Sequence, residues 1–344
     1  MIHNKEKNNC SHSPHETMLG RANIDEIYDK IRVMRRQEDG PYQCGDYLAH
    51  YASEKRAQHH EIFSGLKHQQ YKAADAECRS KMASWFYQVA ESCNFNREVV
   101  ELSVRCLDRF LDTLKSAPEL HVDALNSYRM YQLASMTALY ITVKTTEEKI
   151  LDPRIVSKLS RGFFSEEDIK RTEVMMLGAL QWRVNPPTAT SFLRHLLLLL
   201  PASKSVDIKT RKQIDDKATH QVEKSILDYG FVTTRPSVIA YAALLNSTQG
   251  VDGRSLPSSE RAAFLKDMAF TVGLDDMSLN EIAEVRERLL VLLSESSCVK
   301  FKTDSETICQ KSAKKPSYCH SEPTDSPRCV LHKKKALGHG KATN

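Results

Sequence analysis

Three charged side chains interrupt helix-period stripes of apolar residues in this sequence, and each is a candidate for binding a partner. Asp108 stands beside Leu107 and Phe110, Glu173 breaks an otherwise apolar face, and Lys144 ends the most apolar stretch. Because an unpaired charge near a core costs several kcal/mol, each must be paired or must face a partner. A local ion pair, or an ammonium group that reaches water, would satisfy any one of them alone.

Sequence motifs for catalysis are missing. The chain has no glycine-rich phosphate loop, no His-Glu-x-x-His and no Gly-x-Ser-x-Gly. We therefore predict that the protein is not an enzyme, with no catalytic residue, no cofactor and no small-molecule substrate.

Metal binding is a possible function of two stretches that contain histidine or cysteine, and we weigh it against a surface location without a ligand. The first holds His50 and His59-His60-Glu61, which we interpret as polar surface neighbours. In the second, near the C-terminus, the gaps between candidate ligands match no tetrahedral zinc-finger spacing, so we predict no metal site. Those ligands are Cys309, Cys319, His320, Cys329 and His332.

Composition is that of a soluble globular protein, with 41% apolar and 27% charged residues. No apolar run approaches the roughly 20 residues of a membrane span, and residues 1–15 lack the apolar core of a secretory signal. Nine cysteines without a Cys-x-x-Cys pair favour reduced thiols inside a cell. We expect a nuclear or cytoplasmic protein, or one found in both.

The net charge of +5 is concentrated near the C-terminus, for example in Lys333-Lys334-Lys335. Such a run is either a nuclear-import signal or a solubilising tail. No basic face with interleaved aromatic residues occurs elsewhere, which argues against nucleic-acid binding.

Apolar residues at helix period fill the middle of the chain, and no period-two pattern accompanies them. The stretch from Tyr128 to Val143 is apolar on nearly every face, which predicts a helix at the centre of a bundle. Ser165 is placed to cap a further helix. The second half repeats this order, with helices predicted from Pro187 to Leu200, Val206 to Tyr229 (one or two), Val238 to Leu245 and Asn280 to Leu293.

We therefore predict an all-α protein with two related helical bundles in tandem and disordered N- and C-terminal segments. Residues 1–40 form a polar segment in which only Ile24 to Met34 indicate a helix. The bundles take residues 41–185 and 186–297, and residues 298–344 form a basic Cys/Ser/Lys tail without periodicity.

Taken together, several segments resemble the first cyclin box in order and spacing. They are Arg79-Ser80-Lys81-Met82-Ala83-Ser84-Trp85, Leu107-Asp108-Arg109-Phe110-Leu111, Val143-Lys144 and Glu173. The stretch from Leu180 to Thr188 is similar to the family's junction between boxes, and Pro236 to Ala240 resembles part of the second box. The resemblance covers roughly residues 43–297 and is strongest up to about residue 195.

The resemblance to the cyclin family implies a regulatory subunit that binds and activates a cyclin-dependent serine/threonine kinase, with cell-cycle types favoured. Lys144 and Glu173 match the family's lysine and glutamate that grip the kinase beside its mobile helix, and Glu147 matches the supporting acid. Arg79 and Asp108 match a buried ion pair that holds the first helix of the box onto the second.

The resemblance also implies a groove that docks substrate or inhibitor peptides, at Cys78, Lys81, Met82 and Trp85. Lys81 stands where the family has an aliphatic residue, so we expect a degenerate groove. Thr145 likewise follows Lys144 where many cyclins have an apolar kinase contact.

Two other uses of the same fold remain as alternatives: a transcriptional cyclin, and a general transcription factor of the IIB type that binds DNA and protein. The IIB type begins with a zinc ribbon, whose paired Cys-x-x-Cys this sequence lacks. A salt-sensitive DNA complex would favour that reading.

Overall fold

The computed structural model describes the backbone of residues 14–53, 73–113, 124–148, 151–200, 206–274 and 279–298. Side chains are described in the same ranges except at 14–22, 279 and 295–298. All regular secondary structure in these ranges is helical, which confirms the predicted all-α class. The chain divides into two compact units.

The first unit comprises Cys44–Asn185 together with Ile226–Val232. Its helices are α2 (47–53), α3 (Ala76–Cys93), α4 (Glu98–Asp112), α5 (Tyr128–Thr146), α6 (Pro153–Leu159) and α7 (Glu166–Ala179). Helix α5 packs against α3, α4, α6 and α7, and every side chain from Leu133 to Val143 is buried. A helix that is apolar on all faces needs neighbours on all sides, so the predicted central position of α5 is confirmed.

Local side-chain caps fix where these helices begin. Ser165 accepts a hydrogen bond from the backbone N–H of Asp168, whose carboxylate accepts one from the backbone of Ser165 in return. This capping box confirms the predicted start of α7. Asp75 caps α3 through the N–H of Cys78. Asn96 accepts from the N–H of Glu98 at the start of α4.

The second unit is made of the described residues up to Gln43, Pro186–Ser225 and the described residues from Thr233 onward. Its helices are α1 (Pro14–Glu38), α8 (Ala189–Leu198), α9 (Ile208–Leu227), α10 (Pro236–Gln249), α11 (Ser258–Thr271) and α12 (Leu279–Cys298). The last residues of α9 belong to the first unit. Helix α10 contacts α8, α11 and α12, and its side chains from Pro236 to Leu244 are all buried.

Helix α1 is longer than the stretch from Ile24 to Met34 that the sequence indicates. Ile27 and Ile31 are buried, and the helix packs against α8 and α11. The described part of the segment predicted to be disordered is therefore helical, because two apolar side chains one turn apart find a surface on the second unit. Residues 1–13 and 299–344, where disorder was also predicted, lie outside the described residues.

The helices of the second half agree with the sequence prediction only in part. Helix α8 begins after Thr188, whose hydroxyl caps Ser191 N–H, and not at Pro187. The stretch from Val206 to Tyr229 contains one long helix followed by a 3-10 turn at Tyr229–Phe231. Helix α11 was not predicted, because Phe264 and Met268 are its only fully buried side chains and produce a weak stripe.

Candidate functional site

Lys144 and Glu173, which the sequence singles out as misplaced charges, form an ion pair in the first unit. Lys144 lies in the last turn of α5 and Glu173 in the middle of α7, two helices that pack together. Lys144 Nζ donates to Glu173 Oε1 at 3.0 Å. The Lys144 side chain is 53% exposed and the Glu173 side chain 11% exposed. The pair therefore presents its ammonium group to solvent, while the carboxylate lies mostly below the surface.

The surroundings keep this ammonium group charged and oriented. The hydrogen bond to Glu173 raises the pKa of Lys144 above its ordinary value. Lys144 Nζ also lies 5.6 Å from the centroid of the Tyr140 ring, one turn earlier on α5. Burial raises the pKa of Tyr140. An ammonium group held by a carboxylate and a ring face retains donors for an acceptor on a partner.

Glu147 follows Lys144 in sequence and has a different local role. Its Oε1 accepts a hydrogen bond from the backbone N–H of Asn96 at 3.0 Å, and its own N–H donates to the Val143 carbonyl. These contacts join the end of α5 to the start of α4. The kinase-supporting role implied for Glu147 by the family resemblance stays a prediction.

The second predicted pair, Arg79 and Asp108, joins α3 to α4 inside the same unit. Arg79 Nε donates to Asp108 Oδ1 at 2.9 Å, and Nη2 donates to Oδ2 at 2.8 Å. Tyr47 donates to the same carboxylate, and Arg79 Nη1 donates to the carbonyl of Ile226. Burial acts to lower the pKa of Arg79, but the Asp108 carboxylate outweighs it, and the pKa is raised. This buried bidentate network is structural, because no member of the pair faces solvent.

The four positions of the predicted peptide groove present little apolar surface. Cys78, Met82 and Trp85 are 5%, 1% and 2% exposed. Lys81 is partly exposed, and its Nζ lies 2.7 Å from Glu77 Oε1 one turn earlier. An approaching peptide would therefore meet a lysine–glutamate pair where an apolar contact is expected. The prediction that this groove is degenerate remains a prediction.

Trp182 lies in the segment that resembles the family's junction between boxes, and no binding role was predicted for its side chain. It is 74% exposed, and it follows α7 with φ of 61° directly after Gln181 with φ of 51°. The backbone N–H of Trp182 donates to the carbonyl of Leu177, which lies one turn after Glu173. Val174, next to Glu173, is 72% exposed. Large apolar side chains are thus exposed on, and directly after, the helix that carries Glu173, and exposed apolar surface of this kind is typical of interaction sites. The signal in the sequence was a tryptophan between the polar residues Gln181 and Arg183, just after a helix.

The described ranges contain neither a three-ligand metal cluster nor a membrane-spanning helix. Those residues contain no group of three His, Cys, Asp or Glu side chains arranged to hold a metal ion. His50 is exposed, whereas His59, His60, Glu61 and the candidate ligands of the C-terminal tail lie outside the described residues. Among the helices that the structure describes, none is long and apolar enough to cross a bilayer.

Comparison with known families agrees with this architecture. Residues 46–185 match the family model described as cyclin, N-terminal domain. Residues 187–320 match the one described as cyclin, C-terminal domain. The chain belongs to the cyclin family.

Individual relatives are distant. Cyclin-D3-3 of Arabidopsis thaliana is 24% identical over 213 residues, which is 60% of this chain and 54% of that protein. G1/S-specific cyclin-D1 of Homo sapiens is 25% identical over 178 residues, 52% of this chain and 55% of that protein. The chain thus spans about half the length of the curated relatives it matches. A viral cyclin from herpesvirus saimiri superposes with a TM-score of 0.50 at 19% identity, over 66% of this chain and 88% of that one. That likeness shows the fold.

Proposed function

We propose that this chain is a regulatory subunit that binds a cyclin-dependent serine/threonine kinase through the face around Lys144 and Glu173 and activates it in cell-cycle control. The observation that carries the proposal is the half-exposed ammonium group of Lys144, held by the mostly buried carboxylate of Glu173. Family membership supports the class of partner, and the likeness to a G1/S-specific cyclin supports the cell-cycle assignment.

Activation by such a surface needs no catalytic group of its own. A protein kinase is active when its strand lysine pairs with a glutamate on a mobile helix and its activation loop leaves the substrate site clear. A rigid helical surface that fits only the inward position of that helix binds the active conformation more tightly. Binding therefore shifts the kinase population toward activity.

The rigidity of the face is supplied by the elements beneath it. Lys144 and Glu173 stand on α5 and α7, which pack against each other, and α5 is buried over most of its length. The Arg79–Asp108 network fastens α3 to α4 within the same bundle. A charged pair on such a frame loses little side-chain freedom when a partner binds.

The test uses the full chain, because α1 is part of the folded second unit. Purified cyclin-dependent kinases are each mixed with the chain, and phosphorylation of a Ser-Pro peptide is measured together with the dissociation constant. We compare the wild type with Lys144→Glu, Glu173→Lys and the double charge swap. Lys212→Glu, at an exposed position on α9 of the other unit, is the matched control.

At least one kinase should be activated by wild type and by Lys212→Glu. Truncating or reversing a central charge should weaken binding by about 2–5 kcal/mol. The double swap can restore the internal ion pair but presents the opposite charge, so it should fold normally and still fail to bind. Activation by all variants, or by none of the proteins including wild type, would contradict the proposal; in the latter case salt-sensitive DNA binding is the next measurement.

The basic run at the C-terminus leads to a proposal on location. We infer that Lys333, Lys334 and Lys335 direct the protein to the nucleus, because short lysine-rich runs are typical import signals. Replacing all three by alanine in a fluorescently tagged full chain should move it to the cytoplasm. An unchanged distribution would leave the run as a solubilising tail.

A further inference from the structure

A surface cavity of about 530 Å³ lies between α1 and α11, within the second unit. Three arginines of α1 line it, namely Arg32, Arg35 and Arg36, together with Tyr28, Asp267 and Phe270. Its volume falls within the range of roughly 300–1,000 Å³ that is typical of ligand sites. Every lining residue belongs to one unit, so the cavity depends only on how α1 is seated on α11.

The three arginines differ in how far they are already paired. Arg35 is not available to a ligand, because its guanidinium group bonds Glu38 and Asp39 and its side chain is only 14% exposed. Among the described residues, Arg32 bonds only the exposed Asp29, at 2.8 Å. Such an exposed pair is weak and exchanges readily for a stronger acceptor.

Arg36 is exposed, and its side chain makes no hydrogen bond or ion pair with another residue that the structure describes. Arg32 and Arg36 are four residues apart on one helix, so they are neighbours on its surface. A cation in the last turn of α1 also suits the negative end of that helix, which accounts for one arginine there. It does not account for an open cavity beside two available guanidinium groups.

The opposite wall offers an aromatic face and hydrogen-bond acceptors. Phe270, on α11, is 71% exposed although it is a large apolar side chain. Asp267, one turn earlier, accepts a hydrogen bond from Tyr28 through one carboxylate oxygen at 2.8 Å. No other described residue bonds its second oxygen, which can accept from a peptide N–H. The cavity thus combines anion donors, an apolar face and a single carboxylate.

We propose that this cavity binds a phosphorylated peptide segment of a partner protein. The phosphoryl group would lie on Arg32 and Arg36, and an adjoining apolar side chain on Phe270. A phosphoryl group carries nearly two negative charges and three acceptor oxygens, which suits the forked donors of two adjacent arginines. Asp267 favours a peptide over a nucleic acid, because a carboxylate accepts from peptide N–H groups, whereas the backbone of a nucleic acid offers phosphates in place of such donors.

This inference goes beyond kinase activation and does not depend on it. The kinase face proposed above is built from residues of the first unit, and the cavity from residues of the second. A phosphopeptide site on a regulatory subunit would hold partners that already carry one phosphoryl group. Variants in the two units therefore test the two proposals separately.

The experiment measures fluorescence anisotropy of the full chain with labelled peptide pools. The pools share degenerate flanking positions and differ at the centre, which is phosphoserine, serine or glutamate. A single-stranded oligonucleotide is the fourth probe. The proteins are wild type, the double variant Arg32→Ala/Arg36→Ala, Phe270→Ala, and Arg254→Ala as a matched control. Arg254 is an exposed arginine of the same unit that does not line the cavity.

Wild type and Arg254→Ala should bind the phosphoserine pool with affinities within twofold of each other, and more weakly at higher salt. The double arginine variant should lose at least tenfold, and Phe270→Ala should lose affinity without a change of charge. Melting temperatures should agree among all four proteins, since Arg36 and Phe270 are exposed. Equal binding of the serine or glutamate pool, tighter binding of the oligonucleotide, an unaffected double variant, or no binding by wild type would each overturn the proposal.

Discussion

The carboxylate of Glu38, at the end of α1, caps the first turn of α10 through Ser237, 199 residues further along the chain. Glu38 Oε2 accepts from the backbone N–H of Ser237 at 3.0 Å, and Oε1 accepts from its hydroxyl. Arg35 pairs with the same carboxylate, which is buried. A negative group is stabilised at the positive end of a helix, so this contact anchors α1 to α10 within the second unit.

Removing the charge of Glu38 should therefore loosen α1. We expect Glu38→Gln to lower the free energy of unfolding by about 2–3 kcal/mol, because charge-assisted bonds to a helix start and to Arg35 are lost. Urea denaturation followed by circular dichroism measures it. Glu26→Gln, at an exposed ion pair with Lys30 on the same helix, is the control and should change little. Equal stability of the two variants would show that the anchor is not energetically important.

Asp108 should be essential for the stability of the first unit. Asp108→Ala leaves the guanidinium group of Arg79 buried without its carboxylate, which we expect to cost about 3–5 kcal/mol. The double variant Arg79→Met/Asp108→Leu should recover part of this loss, since neither charge is then buried. Asp216→Ala, at an exposed position of α9, is the control. An Asp108→Ala protein that melts with wild type would rule out the buried pair as a stabilising element.

Trp182 allows binding and stability to be separated. Trp182→Gly should raise the free energy of unfolding by about 1 kcal/mol, because glycine adopts its left-handed backbone conformation more easily. We also expect the same variant to weaken kinase binding by about 2 kcal/mol or more, because tryptophan is enriched among the residues that dominate binding energy at interfaces. Gln181→Gly, whose φ is also positive, gives the same backbone gain and should bind normally. Calorimetry of the kinase complex and thermal melting provide the two readouts. Normal binding by Trp182→Gly would place this side chain outside the interface.

Tyr28 should contribute to a loss of stability in alkali. Burial, together with the hydrogen bond to Asp267, raises its pKa from 10.0 to about 12. The folded state therefore holds this proton more tightly than the unfolded state. The resulting stability is complete below pH 10 and is lost as the pH rises from about 10 to about 12. Urea midpoints at pH 8 and pH 11 should fall less for Tyr28→Phe than for wild type. Equal falls would show that the phenol ionises as in the unfolded chain.

Several elements were readable from the sequence because their signals are local. The apolar periodicity of α5 and the Ser165 cap of α7 each involve residues within a few turns of one helix. The Arg79–Asp108 contact was predicted through family resemblance, because its two partners lie on different helices. Spacing marked Lys144, Glu173 and Asp108 as misplaced charges, but the ion pair between Lys144 and Glu173 is known only from the structure.

The sequence by itself determined most of the helices, the order of the two repeats and the charged residues that need partners, but not α11 or the full length of α1. Tertiary structure alone decided that Glu38 meets Ser237, that Ile226–Val232 belongs with the first unit, and that a cavity opens between α1 and α11. Periodicity and caps record interactions over a few residues, whereas these contacts join segments far apart in the chain. Such contacts form only where packing brings two surfaces together, and no pattern among neighbouring residues in the sequence predicts them.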